Sequence, residues 1–162
     1  MDGAFGLVLD NNNNKLLLVK RKDYPIWVMP GGGVNFNETS EEAVMREVFE
    51  ETGFKVKIVR KIAEYLISPS RISHFFECSI VSGKPTPSKE SSKVEFFDLS
   101  NLPEPTNPQI FDFLKDYILK EARIIKKPIP KITQEFMFKT VFKHPIIVVR
   151  YLLTKVGVRI NT

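Results

Sequence analysis

Apolar positions along this chain change period several times, and each change predicts an element. Gly3–Asp10 and Lys15–Arg21 are runs rich in Leu and Val, of strand length. Between them stand Asn11, Asn12, Asn13 and Asn14, residues that tolerate left-handed backbone and bond locally, so the two runs predict a hairpin. Trp27–Met29 predicts a short strand stopped by Pro30, with a glycine loop, Gly31–Gly33, behind it. From Thr39 the spacing becomes helical: its hydroxyl caps the first turn while Glu42 reaches back, a capping box. Val44, Met45, Val48 and Phe49 are expected in the core on the side away from the helix's acids, and Gly53 ends the helix.

Two longer strands follow, Lys55–Ile67 and Ile72–Ser82, parted by a turn at Ser68-Pro69-Ser70. In the second, His74, Phe76, Cys78 and Ile80 alternate onto one face. Gly83–Ser92 is a polar loop, Val94–Leu99 another strand. A second helix opens at Asn107-Pro108, cap and first position, with an expected buried stripe of Ile110, Phe111, Leu114, Tyr117 and Ile118. Strands around one helix with a second helix near the end predict a layered α/β domain.

Composition narrows this to one packed domain, because 162 residues are too few for two ordinary ones. The single cysteine, Cys78, excludes an intrachain disulfide and suits a reducing, cytoplasmic setting. No basic leader precedes the first strand, and no apolar run approaches the about 20 residues of a membrane span, so a soluble protein is expected. The net charge of +5 hides an asymmetry: residues 1–119 hold 14 Lys and Arg against 17 Asp and Glu, residues 120–162 hold 10 against 2. The chain therefore divides into a domain, 1–123, and a basic, apolar, helical C-terminal extension, 124–162. Three readings of that extension stand open. Its apolar face packs on the domain or on a second copy in a homodimer, it lies on an anionic membrane surface, or it extends a surface toward RNA.

The densest chemistry lies between Gly32 and Phe54. Gly32, Glu38 and the run Arg46-Glu47-Val48-Phe49-Glu50-Glu51-Thr52-Gly53-Phe54 stand at fixed intervals. Seven such positions, at roughly 6% composition each, coincide by chance about once in 10⁸ to 10⁹ windows. Glu47, Glu50 and Glu51 fall at i, i+3 and i+4 on one turn of helix, where like charges repel. Mg²⁺ reverses that repulsion, since it binds between carboxylates and a substrate's phosphates. Any one of these glutamates alone would be a solvated helix face.

With those residues in view, the segment resembles the signature box of the Nudix hydrolases at every defining position, including the apolar Val48 and Phe54. The resemblance covers roughly residues 3–122. It implies an α/β/α sandwich around a mixed sheet, and a pyrophosphohydrolase that cleaves a nucleoside diphosphate linked to another group with Mg²⁺ or Mn²⁺. It implies Glu47, Glu50, Glu51 and the Gly31 carbonyl as metal ligands, Arg46 as the partner that orients Glu50, and Gly32 and Gly33 as backbone open to phosphate. The general base it implies is either Glu47 or a later glutamate, for which Glu90 and Glu95 stand. Arg21 is a candidate for phosphate and Trp27 for stacking a base, with surface charge and core packing as the respective alternatives. Glu38 braces the loop. His74 and His144 are structural, no spacing suggests zinc, and Cys78 is a poor nucleophile. Pro69, 15 residues past Phe54, leans toward an ADP-ribose-like nucleotide sugar, with nucleoside triphosphates next. The rival reading is a catalytically silent nucleotide-binding or RNA-processing module of the same fold.

Overall fold

The computed structural model describes residues 1–10, 15–119, 123–132 and 141–155; the asparagine run and most of Thr133–Lys143 lie outside them. Its strands are β1 Gly3–Leu9, β2 Lys15–Arg21, β3 Trp27–Val28, β4 Gly31–Gly33, β5 Phe54–Ser68, β6 Arg71–Gly83, β7 Ser91–Asp98 and β8 Ile125–Pro128. The helices are α1 Ser40–Thr52, α2 Gln109–Leu119 and α3 Pro145–Lys155.

β1 organises the sheet. It runs parallel to β6, from Gly3 beside Ser73 to Leu9 beside Ser79. Its other edge is shared: Gly3, Ala4 and Phe5 take β4 antiparallel, and Leu9 meets Leu16 of β2. Beyond that point β2 diverges to pair with β7 and β3, while β6 pairs with β5 and β5 takes β8 in parallel. The result is a mixed sheet with a helix on each face.

The run Leu16-Leu17-Leu18-Val19 explains why β2 lacks an apolar–polar alternation. Leu16 and Leu18 pack into the core under α2, with Ile110, Phe113 and Leu114. Leu17 and Val19 pack into the core under α1, with Ala43, Val44 and Val48. A strand covered on both faces is apolar throughout. Each such side chain contributes roughly 1.5–3 kcal/mol by leaving water.

Four expectations need correction. Met45 and Phe49 are exposed, whereas Ala43 and Thr52 are buried beside Val44 and Val48. The buried stripe of α1 thus runs through 44, 48 and 52, and 47 and 51 lie along its edge rather than opposite it. In α2, Phe111 and Ile118 are exposed and Phe113 takes the core position, one step around the helix. Gly31–Gly33 is a strand, not a loop. Trp27 is only 5% exposed and packs edge-on against Phe97 at 4.7 Å between centroids, inside the α2-side core. The capping box at Thr39, the left-handed Gly53 cap and the Asn107 cap of α2 are as expected. The C-terminal segment supplies a strand, β8, as well as the helix α3. Among the described residues no helix is long and apolar enough to cross a membrane.

Candidate active site

The pairing of β4 with β1 brings the glycines under α1. A Cβ at Gly31 would lie 2.4 Å from the Ala4 carbonyl oxygen, so only glycine lets this backbone approach β1. A Cβ at Gly32 would meet the Glu47 carboxylate at 2.5–2.6 Å, so that carboxylate rests on bare backbone. Gly31 N–H donates to Glu51 Oε2 at 3.0 Å. The glycine strand and the acidic helix are therefore two walls of one cleft.

Arg46 organises the wall of α1. Its Nε and Nη2 clasp Glu38 at 2.7 and 2.9 Å, Nη2 also donates to the Gly33 carbonyl at 3.0 Å, and Nη1 donates to Glu47 at 2.8 Å and Glu50 at 3.2 Å. The bidentate pair with Arg46, with a bond from Asn35 N–H, holds the Glu38 carboxyl far below its ordinary range, at about 2. Glu38 is thus a brace, as expected of it, and Arg46 orients two carboxylates rather than one.

Glu51 behaves in the opposite way. Desolvation above all, then the neighbouring Glu47 charge, pushes its carboxyl up to about 7, against the Gly31 hydrogen bond and the Arg21 charge. Among the described residues it forms no ion pair. A half-buried carboxylate with like charges beside it and no ion pair of its own is a place where a cation is electrostatically favoured. The donor set is oxygen only, as a hard divalent ion requires. Among the described residues no group of three or more Asp, Glu, His or Cys side chains is already drawn into a cage. Arg46 occupies the space between Glu47 and Glu50 instead. The residues present fit a cation held mainly by Glu51 and Glu47.

The opposite wall is the loop before β7. Arg21, Gly31–Gly33, Glu47, Glu50, Glu51, Ser88, Lys89 and Glu90 line a cleft of about 580 Å³. It adjoins a second cavity of about 580 Å³ that shares Arg21, the glycines and Glu51 and continues to Tyr24, Arg71, Asn107 and Phe5. The structure thus brings together all the predicted positions except two. Trp27 is in the core, and Glu95, on β7, is exposed and pairs with Lys93 at 3.5 Å. Cys78 is buried and its thiol pushed up to about 12 by desolvation, which makes it inert.

Sequence reasoning missed Asp23, Tyr24, Arg71 and Asn107. Asp23 Oδ1 accepts from Arg21 Nε at 2.9 Å, and the Arg21 guanidinium lies 4.6 Å from the Tyr24 ring centre. The triplet Arg21, Asp23, Tyr24 was visible as a charged turn after a strand. Arg71 and Asn107 reach the cavity only through the β5–β6 hairpin and the entry to α2, which no local pattern predicts.

A family model described as "NUDIX domain" matches residues 2–117. An ADP-ribose pyrophosphatase of Methanocaldococcus jannaschii is 39% identical over 118 residues, 65% of this chain and 67% of that protein. A Bacillus subtilis protein whose name provisionally assigns 8-oxo-dGTP diphosphatase activity is 51% identical over 63 residues, 39% of this chain. That match spans only 42% of the Bacillus protein's length. In fold, the chain resembles the crystal structure of an ADP-ribose pyrophosphatase from Streptococcus suis 89-1591, with a TM-score of 0.64 and 24% identity over 78% of this chain and 97% of that one.

Proposed function

The chain belongs to the Nudix hydrolase family, and from that premise we propose that it is a Mg²⁺-dependent pyrophosphohydrolase of ADP-ribose-like nucleotide sugars. The observation that carries this reading is the half-buried Glu51 carboxylate, which forms no ion pair among the described residues, at the junction of the acidic cleft and the larger cavity. Glu51, Glu47, Glu50 and the Gly31 carbonyl would hold the cation, with Mn²⁺ able to replace Mg²⁺. When bound, it supplies Lewis-acid polarisation of a phosphate and a more acidic water.

The chain's own groups do the rest. Arg46 keeps Glu47 and Glu50 turned into the cleft. Gly32 and Gly33 leave backbone open for phosphate oxygens. Arg21, its guanidinium fixed by Asp23, takes the charge of the phosphate farther from the cation. Glu90 removes the proton from the attacking water. It stands on the wall facing Glu51, while Glu47, paired with Arg46 and a ligand of the cation were one bound, would make a poor base. The adjoining cavity, with Phe5, Tyr24, Arg71 and Asn107, receives the nucleoside and sugar. Nucleoside triphosphates are the second substrate class, favoured by the 51% identity to the Bacillus protein over 63 residues.

A nucleotide panel with and without Mg²⁺ tests this reading. It contains ADP-ribose, canonical and oxidised nucleoside triphosphates, diadenosine polyphosphates and 5′-triphosphate RNA, with wild type beside Glu51→Gln. Turnover of ADP-ribose that needs Mg²⁺ and vanishes in the variant is expected. Binding of a nucleotide with no turnover of any member would replace the enzyme with a recognition module.

A further inference from the structure

The C-terminal helix α3 lies beyond the Nudix match, yet it grips the turn that carries Arg21. We infer that Arg150 is a positioning residue for substrate binding, acting through the Lys22–Tyr24 turn. The inference rests on the reading that Arg21 meets a substrate phosphate.

The turn after β2 is closed by Arg21 N–H to the Ile26 carbonyl at 3.1 Å and Ile26 N–H to the Tyr24 carbonyl at 2.7 Å. Inside it, Asp23 binds the Arg21 guanidinium and also accepts from Tyr24 N–H at 2.9 Å. Tyr24 is flanked twice, by the Arg21 guanidinium at 4.6 Å and edge-on by the ring of Tyr151 from α3 at 5.4 Å. The carbonyls of Lys22 and Asp23 accept from the fork of Arg150, Nη2 at 2.8 Å and Nε at 2.9 Å. Two charge-assisted bonds to consecutive carbonyls fix the orientation of both peptide planes. The direction of the Asp23 side chain, and so of Arg21, follows from that backbone.

Lys22 also touches the facing loop, through its N–H to the Glu90 carbonyl at 2.9 Å and its Nζ to the Ser88 carbonyl at 3.0 Å. That loop has a hold of its own. Ser91 Oγ accepts from Ser88 N–H at 2.9 Å and donates to the Glu51 carbonyl at 3.2 Å. Loosening the turn should therefore disturb Arg21 much more than Glu90. The signature is a change in KM rather than in kcat.

Two variants, Arg150→Ala and Arg150→Lys, test this in the full chain by two readouts. The first is amide hydrogen exchange without substrate or metal, which needs no turnover and survives a wrong substrate assignment. The Arg21, Lys22 and Ile26 amides should exchange faster in Arg150→Ala, while those of β1 and α1 stay as slow as in wild type. The second is Mg²⁺-dependent hydrolysis of whichever panel nucleotide turns over. KM should rise roughly tenfold in Arg150→Ala, with kcat within about threefold and Mg²⁺ half-activation unchanged. A lysine ammonium keeps the charge but lacks the rigid planar fork that fixes both peptide planes, so Arg150→Lys should fall between. Unchanged exchange at 21–26, or faster exchange spread equally over β1 and α1, would overturn the inference. So would a loss confined to kcat.

Discussion

Two carboxylates, one on each face of the sheet, the first buried and the second half-buried, have opposite surroundings. Asp116 of α2 is 3% exposed and fully engaged: the Tyr65 hydroxyl donates to one oxygen and Lys127 Nζ of β8 to the other at 2.7 Å. Glu51 of α1 accepts one backbone hydrogen bond, has Glu47 and Glu90 as neighbours of like charge, and feels Arg21 as an opposing charge without forming an ion pair with it among the described residues. Burying a carboxylate is costly unless it is paired, so a satisfied one records architecture and an unsatisfied one asks for something else. Asp116 joins the C-terminal strand to the domain. Glu51, on the proposed function, would take a cation and stand beside a phosphate. The same residue chemistry thus separates scaffold from site once its partners are counted.

The largest test of that contrast is Glu51→Gln. It removes the charge that the cation needs while keeping the Gly31 hydrogen bond, so kcat should fall by about 10³ or more. Steady-state hydrolysis with saturating Mg²⁺ measures it, and a loss below tenfold would make Glu51 a bystander. Next in size is the pair of candidate bases. Glu90→Gln should lower kcat by about 10²–10⁴, the usual range for a general base. Glu95→Gln, on an exposed strand position beside Lys93, should stay within about twofold. If the two results exchange places, the base lies on β7 and the cleft as described is incomplete.

Much of this was legible before any coordinates. The capping box, the Gly53 stop and the spacing of Glu47, Glu50 and Glu51 follow from rules that act within one helix turn, whereas the brace role of Glu38, closed by Arg46 eight residues on, came with the family resemblance. The errors share a cause as well. Met45, Phe49, Phe111 and Ile118 are apolar residues one step from the true stripe, and periodicity alone does not say where a helix meets its sheet. Gly31–Gly33 looked like a loop because glycine is a poor strand former; its pairing with β1 is imposed from outside, by the close approach that only glycine permits. The grip of Arg150 on Lys22 and Asp23 joins positions more than a hundred residues apart, and only the folded chain displays it.

Asp116→Asn probes the other member of the comparison. The variant leaves Lys127 beside a neutral amide and weakens the bond to Tyr65. Stability to urea should fall by about 2–3 kcal/mol, with Lys127 partly exposed and so able to turn to water. Its kcat and KM should match wild type, since nothing in the cleft depends on α2 at this point. A catalytic defect without a stability defect would break the division between scaffold and site.

The smallest effect is a pH dependence of the metal-free protein, and its sign separates Glu51 from Glu38. Glu51 ionises near 7 in the fold against an ordinary 4.5, so between those values the native state binds more protons than the unfolded one. Stability therefore falls as pH rises from about 4.5 to 7 and levels off above. Glu38, held at about 2, does the reverse: its contribution is present above 4.5 and is lost as pH drops toward 2. Urea titrations of the metal-free chain from pH 4 to pH 8 should show the descending limb, and Glu51→Gln should remove it. Saturating Mg²⁺ should flatten the same limb in wild type, because a bound cation holds the carboxylate ionised. A limb that survives in Glu51→Gln belongs to another group, and Glu51 would then be no more strained than Asp116.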